Sequence, residues 1–301
     1  MLTVHMNISF LLAAMSLAGA LAPRAAAQYE PEKAPDLATD EPLDRLRFEM
    51  GFDIYSDYFY RGILIEDDGF IFQPYANMEY DVIAGDSCTI TLDAGVWTSF
   101  HNNRTDAHPD RSDFFQTWYD ADYDLGAAIG WDQFSLRLGF AFYTSPSGAY
   151  DSYEEVTLTF EVDDSEWLGG WAMSPYVMVA QELGDRDSDG DRFERATYLE
   201  FGVTPGIDIT GLPPLPEATR LDFPIVLGLS LNDYYEAGTG DDEIFGFLSV
   251  GALLTVPLPW LEGLSLTGGV EYLLLGDAAR LFNTGEDRDE WLWHVGMALG
   301  F

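Results

Sequence analysis

From Trp291 to Phe301 every second residue is large and apolar, and the residues between them, Leu292, His294, Gly296, Ala298 and Gly300, are mostly small. A period of two marks a β-strand, whose successive side chains point to opposite faces. The same period runs through most of the chain. It predicts strands over 46–57, 70–82, 88–100, 114–125, 132–143, 154–162, 172–182, 194–204, 221–233, 245–256, 264–275 and 291–301. The fifth is typical, with Phe134, Leu136, Leu138, Phe140 and Phe142 on one face and Ser135, Arg137, Gly139, Ala141 and Tyr143 on the other. The seventh is the least regular, because Tyr176-Val177-Met178-Val179-Ala180 does not alternate sharply. Pro74 removes a ladder donor from the second strand, which suggests a bulge there.

Two sheets packed face to face would show the same period, so the connections decide. The links after odd strands, 58–69, 101–113, 144–153, 183–193, 234–244 and 276–290, are mostly long and acidic. Those after even strands, 83–87, 126–131, 163–171 and 257–263, are short. The exception is 205–220, which reads as a periplasmic excursion stiffened by Pro205, Pro213, Pro214 and Pro216. Long links at one end, short turns at the other, an even strand count and an apolar face on nearly every strand are the organisation of an outer-membrane barrel. The expected fold is therefore all-β: a transmembrane antiparallel β-barrel of about 12 strands over 44–301, with long extracellular loops and mostly short periplasmic turns. An open sheet edge is prohibitive in lipid, so strand twelve is expected to pair with strand one. Trp97, Phe100, Tyr143, Trp291 and Trp293 fall near the outer rim and Trp131, Trp260 and Phe301 near the inner one, although Trp97 lies on the lumen-facing side of its strand.

Ahead of the barrel, the apolar run Phe10–Ala22 followed by Ala25-Ala26-Ala27 has the length and cleavage-site character of a signal peptide, although His5 is the only basic candidate at its start. Residues 1–27 are expected to be removed during secretion through the inner membrane. Residues 28–43, with Pro31, Pro35 and Pro42, are expected to form a short periplasmic lead-in.

Composition narrows the partners. Lys and Arg total 14 against 52 Asp and Glu, a net charge of -38, which excludes a nucleic-acid partner because no basic surface could neutralise phosphates. A hydrophobic share of 47% argues against disorder. The single cysteine, Cys88, excludes an intrachain disulfide framework. Outer-membrane lipid and small hydrophilic solutes or cations are the expected partners, and the sequence leaves monomer and homo-oligomer open.

The candidate chemistry is on the inward face. Asp53, Glu79, Asp93, Asp120, Asp122, Asp124, Glu155, Glu161, Glu200 and Glu271 all fall there, with Arg137 as the clearest inward base. A wet lumen lined with carboxylates attracts cations and repels anions. The expected function is a porin-like channel for passive diffusion of small hydrophilic solutes, with a preference for cations. The alternative is a non-conducting structural or ligand-binding barrel, because a ring of twelve strands is narrow enough for side chains to obstruct.

Asp185, Asp187, Asp189 and Asp191 alternate around Gly190, which is half of a calcium-loop pattern. The twelfth position is Ala196, where an EF-hand needs its Glu, so the candidate is a weak Ca2+ loop and its competitor a solvated acidic loop. No other cofactor is expected. An outer-membrane hydrolase is the competing class. His101, His108 and His294 are available to it, but no Gly-x-Ser-x-Gly elbow is present and no serine partner is implied. The chain is expected not to be an enzyme.

Ser56-Asp57-Tyr58-Phe59-Tyr60-Arg61-Gly62-Ile63 resembles the early strand-and-loop signature of the TorF-like porin family, a Ser-Asn-Tyr-x-x-Arg-Gly pattern. Ser56, Tyr58, Arg61 and Gly62 fit. Asp57 replaces the Asn, and Leu64-Ile65 stands where Ser-Gln often follows. The resemblance implies a small secreted outer-membrane porin. From the residues themselves, Gly62 is expected to make a turn and Arg61 to pair with Glu66-Asp67-Asp68.

Overall fold

The computed structural model describes residues 45–85, 87–103, 112–183, 195–237, 241–283 and 287–301. The expected signal peptide, the lead-in and the four carboxylates Asp185, Asp187, Asp189 and Asp191 lie outside the described residues.

Twelve strands form one closed ring. They are β1 Leu46–Tyr55, β2 Ile71–Ala84, β3 Thr89–His101, β4 Trp118–Trp131, β5 Phe134–Thr144, β6 Tyr153–Val162, β7 Tyr176–Leu183, β8 Thr197–Val203, β9 Ile225–Asn232, β10 Phe245–Pro257, β11 Leu264–Leu275 and β12 Asp289–Gly300. Each is antiparallel to the next. The last returns to the first, in register from Glu49 opposite Gly300 to Tyr55 opposite His294. Phe48 and Phe301 exchange backbone hydrogen bonds of 2.8 and 2.9 Å at the seam. Closure satisfies the backbone polar groups that an edge would leave unpaired.

The outside is apolar through the middle of the strands. Leu125, Leu138, Leu158, Val250, Val270 and Val295 stand exposed there. At the end with the short turns, Trp131, Phe134 and Phe160 pack together beside exposed Trp167, and Trp260 and Phe301 are also exposed. At the end with the long loops, Phe70, Phe72, Phe100, Phe114 and Trp118 form a chain of ring contacts. Trp291 packs on Tyr272 nearby in the ring of strands. Of the residues assigned to the outer rim from sequence, Tyr143 and Trp97 face inward, as the alternation along their strands expects. Tyr143 is buried against Tyr153, and Trp97 packs on Tyr58.

Both ends of the fourth strand move. Residues Asp113–Thr117 are a single helical turn, and β4 begins at Trp118 and runs on to Trp131. The segment 126–131, expected as a turn, is therefore strand, and the reversal is only Asp132-Gln133, with Asp132 at φ 49°. A register shift at Ser99/Phe100 turns Trp118 outward onto Phe100, while Tyr119 turns inward onto His101, the reverse of strict alternation. Pro74 makes no bulge: pairing with β1 is continuous through it, and the irregularity lies at Asp81/Ile83.

The proline-rich excursion is smaller than expected. Gly206–Ile209 pairs with Thr219–Asp222, which in turn pairs with β10. The registers, Gly206 opposite Asp222 and Arg220 opposite Thr255, continue those of β8 with β9 and β9 with β10 across Pro205 and Pro224. These short strands are thus extensions of β8 and β9, and only 210–218 projects as a turn.

At the β1–β12 seam, an added Cβ on Gly296 would lie 2.0 Å from Asp53 Oδ1 and 2.7 Å from Thr267 Oγ1. Gly296→Val is expected to cost about 1–3 kcal/mol in urea unfolding of the refolded barrel, the usual range for overpacking. An unchanged midpoint would contradict the closure of β1 on β12.

Candidate functional site

The link after β1 folds into the barrel. Tyr58–Tyr60 and Ile63–Glu66 form a hairpin turning at Arg61 and Gly62, with φ of 48° and 80°. Positive φ at both central residues is the type I′ geometry that matches the twist of paired strands, and Gly is well suited to it. A Cβ on Gly62 would also come within 2.9 Å of the Phe247 side chain. The hairpin is clipped at its start, where Ser56 N donates to Trp293 O and Trp293 N donates to Ser56 Oγ, both at 3.0 Å.

The two faces of the hairpin separate two clusters. Phe59, with Ile63 and Leu64, packs with Met178, Tyr198, Tyr235, Phe247, Leu273 and Leu292. Tyr58 and Tyr60, with Ile65, pack with Tyr55, Ile71, Tyr143 and Tyr153. The loop-end half of the lumen is filled by this packing. It also explains the irregular seventh strand: Met178 and Ala180 point inward and are apolar because they meet protein there, not water.

Arg61 is 5% exposed and gives Glu155 two parallel hydrogen bonds, of 2.7 and 2.8 Å. Its guanidinium lies 4.3 Å from the centroid of the Tyr198 ring and donates to Tyr234 Oη at 3.1 Å. Burial works to lower the pKa of Arg61, but the Glu155 charge, with Tyr234 and Tyr60, outweighs it and raises the pKa well above the usual value, so the group stays charged. The expected pairing with Glu66-Asp67-Asp68 is corrected. The type I′ turn carries Arg61 into the lumen toward Glu155.

All eleven residues assigned to the lumen from sequence lie on inward strand positions. Asp120, Asp122, Asp124, Arg137, Glu155, Glu200 and Glu271 are buried, while Asp53, Glu79, Asp93 and Glu161 are half-buried. They do not form one ring. Arg137 joins Asp93, with Nε 3.1 Å from Oδ2, to Asp124. Arg47 joins Glu79, at 3.2 Å, to Asp81, at 2.7 Å. At the turn-end mouth Arg220 joins Asp208, at 3.0 Å, to Asp222, at 2.7 Å. Glu200 accepts from Tyr176 at 2.7 Å and from Tyr198, and Glu271 accepts from Ser249. Asp120 accepts from Tyr58, at 3.1 Å, and from Tyr150. Asp120, Asp122 and Asp124 form a column on β4, descending from the loop end. Sequence reading missed Arg47, Arg61 and Arg220 as inward bases. The parity of Arg47 with Asp53 on β1 was the available signal.

Two histidines also face inward. His294 packs on Tyr55, ring centroids 5.0 Å apart, and shares a cavity of about 10 Å³ with Glu271, Pro224 and Leu253. His101 has the serine partner that the sequence did not reveal. Ser99 Oγ lies 2.9 Å from His101 Nε2, and His101 Nδ1 lies 3.5 Å from Glu66 Oε2. This is the connectivity of a Ser–His–acid relay. Ser99 is 0% exposed, and its Oγ also accepts from Gln73 Nε2 at 3.3 Å.

No family model and no curated protein matches the sequence. Among solved structures, the chain is similar to the COG4313 outer membrane channel from Pseudomonas putida F1 (12% identity, 85% of this chain and 94% of that one, TM-score 0.46). It is also similar to the NanC porin (12% identity, 84% and 98%, TM-score 0.40) and to the Salmonella typhi outer membrane phospholipase dimer with bound calcium (11% identity, 84% and 90%, TM-score 0.41). Likenesses this distant decide nothing about function, and the fold rests on the strand pairings themselves.

Removing one partner of a buried ion pair leaves an uncompensated charge, at a cost of about 3–5 kcal/mol. Arg61→Met is expected to destabilise the barrel by that order in urea unfolding and to speed hydrogen exchange of the hairpin amides. Adding Glu155→Leu should recover much of the loss. A single-variant loss as small as that of a surface arginine would contradict the buried pairing.

Proposed function

We propose that the chain is a bacterial outer-membrane barrel that acts as a narrow, cation-preferring diffusion channel, with the luminal hairpin setting its constriction. The observation that carries this reading is the division of one closed ring into an apolar outer band and an inner face where carboxylates exceed the guanidinium groups that pair with them. An apolar mid-strand band suits hydrocarbon, and aromatic side chains at both rims suit its two interfaces. Such a lumen favours small cations over anions. The likeness of residues 56–63 to the TorF-like porin signature supports the same reading. On it, the chain is secreted through the inner membrane, the long loops face outward and the short turns face the periplasm. Solute identity is set by the gap between the hairpin and the acidic wall, so large sugars are not the expected cargo.

A specific observation favours a second reading, a non-conducting barrel: the hairpin and its tyrosines fill the loop-end half of the lumen. Planar-bilayer recordings separate the two. The wild-type protein is expected to give small, discrete, cation-selective steps. Replacing Tyr58–Glu66 by a short Gly-Ser link is expected to enlarge them while keeping cation selectivity. Silence from both proteins, each folded by circular dichroism, would establish the non-conducting barrel.

A further inference from the structure

Asp122 is the anomaly of the interior. Its side chain is 0% exposed, and among the described residues no N–H or hydroxyl donates to either carboxylate oxygen. The Asp120 carboxyl, two residues along the same inward face, lies within hydrogen-bonding reach. Across the sheet, Asp122 is flanked by Trp97 on β3 and Tyr143 on β5, neither of which donates to it. Arg61 is held bidentately by Glu155, Arg137 by Asp93 and Asp124, and Arg47 by Glu79 and Asp81. The guanidinium groups described inside this part of the ring are therefore committed to other carboxylates. A buried carboxylate without a donor or counter-charge is strongly disfavoured, and here a second carboxylate faces it.

We propose that Asp120 and Asp122 hold a singly charged metal cation, Na+ or K+, between the wall of the barrel and the luminal hairpin. The polar groups that reach the pair are oxygens: the hydroxyls of Tyr58 from the hairpin and Tyr150 from the loop before β6 both donate to Asp120. Oxygen-only shells select hard cations. Among the described residues no three His, Cys, Asp or Glu side chains converge as a metal cage, so the site offers two carboxylates and neutral oxygens, a set suited to an alkali ion more than to a calcium cage. The cation would tie β4 to the hairpin through Tyr58, opposite the tie that Arg61 makes to β6. On the channel reading it would also be the first stop on the column Asp120–Asp122–Asp124, but the site itself stands whether or not the barrel conducts.

The test is thermal unfolding of the detergent-solubilised barrel in NaCl, KCl and N-methylglucamine chloride at equal ionic strength. A ligand that binds only the folded state raises the midpoint with its concentration. The wild-type midpoint is expected to rise with Na+ or K+ above its value in the organic cation, and Asp122→Asn is expected to abolish the difference. If that variant does not fold, Tyr150→Phe, which removes one hydroxyl and no charge, is expected to reduce it. Equal midpoints in the three salts would overturn the site. Stabilisation by Ca2+ or Mg2+ at much lower concentration would overturn the choice of a singly charged ion. Dependence on pH without dependence on the cation would assign a shared proton to the pair and overturn it as well. Because no current is measured, a silent barrel leaves this outcome intact and refutes only the channel.

Discussion

Closure of β12 on β1 is the constraint from which the interior follows. A ring of eight strands is just wide enough for its own side chains to fill. Twelve strands enclose more, and that space has to hold water or more protein. Here the link after β1 supplies protein: Tyr58–Glu66 turns inward, and its two faces meet opposite walls of the barrel. The hairpin replaces water that would otherwise contact Met178, Leu273 and Leu292. It places a guanidinium where only a carboxylate could receive it, and Glu155 does so from β6.

The strand order was legible because lipid-facing positions must be apolar whatever lies inside. Phe134 to Phe142 on β5 and Trp291 to Met297 on β12 show that rule plainly. The inward face was legible where it is polar and blurred where it is not. Tyr176–Ala180 lost its alternation because Met178 and Ala180 meet the hairpin cluster. The Arg61-Gly62 turn could be read from Gly62 and the apolar residues beside it. The direction in which the hairpin folds could not, since Arg61 and Glu155 are 94 residues apart and nothing local distinguishes Glu155 from the three acids at 66–68. The same limit hid the Ser99–His101–Glu66 contact, which exists only once the hairpin is inside. The helical turn at Asp113–Thr117 was missed because Phe115 and Thr117 share the parity of Ala121 and Tyr123, so the strand period runs on through it.

The scarcity of bases gives each inward arginine a wide span. Arg47 reaches from β1 to β2, Arg137 from β5 to β4 and β3, and Arg61 from the hairpin to β6. Acids beyond their reach are satisfied by hydroxyls, as Glu200 is by Tyr176 and Tyr198. The tyrosines of the lumen therefore serve two ends, packing against the hairpin with their rings and donating to carboxylates with their hydroxyls. Among the described residues, Asp122 is the buried acid with neither carboxylate oxygen supplied by a base or a hydroxyl, and it lies beside the hairpin and not at the mouth.

The hairpin is not a separable plug. Ser56 ties its entry to β12, and after its exit Phe70 N donates to Asn102 Oδ1 at 2.6 Å while Asn102 N donates to Phe70 O at 3.1 Å. With both ends fastened at the rim, whole-body ejection would break the clips as well as the Arg61–Glu155 pair. On the channel reading, a passage for small ions requires only local separation of Tyr58 and Tyr60 from the β4–β6 wall. That wall carries Asp120, Asp122 and Glu155. The face along which the hairpin can part from the barrel is thus the acidic one, so on the channel reading a filled lumen and a preference for cations follow from the same packing.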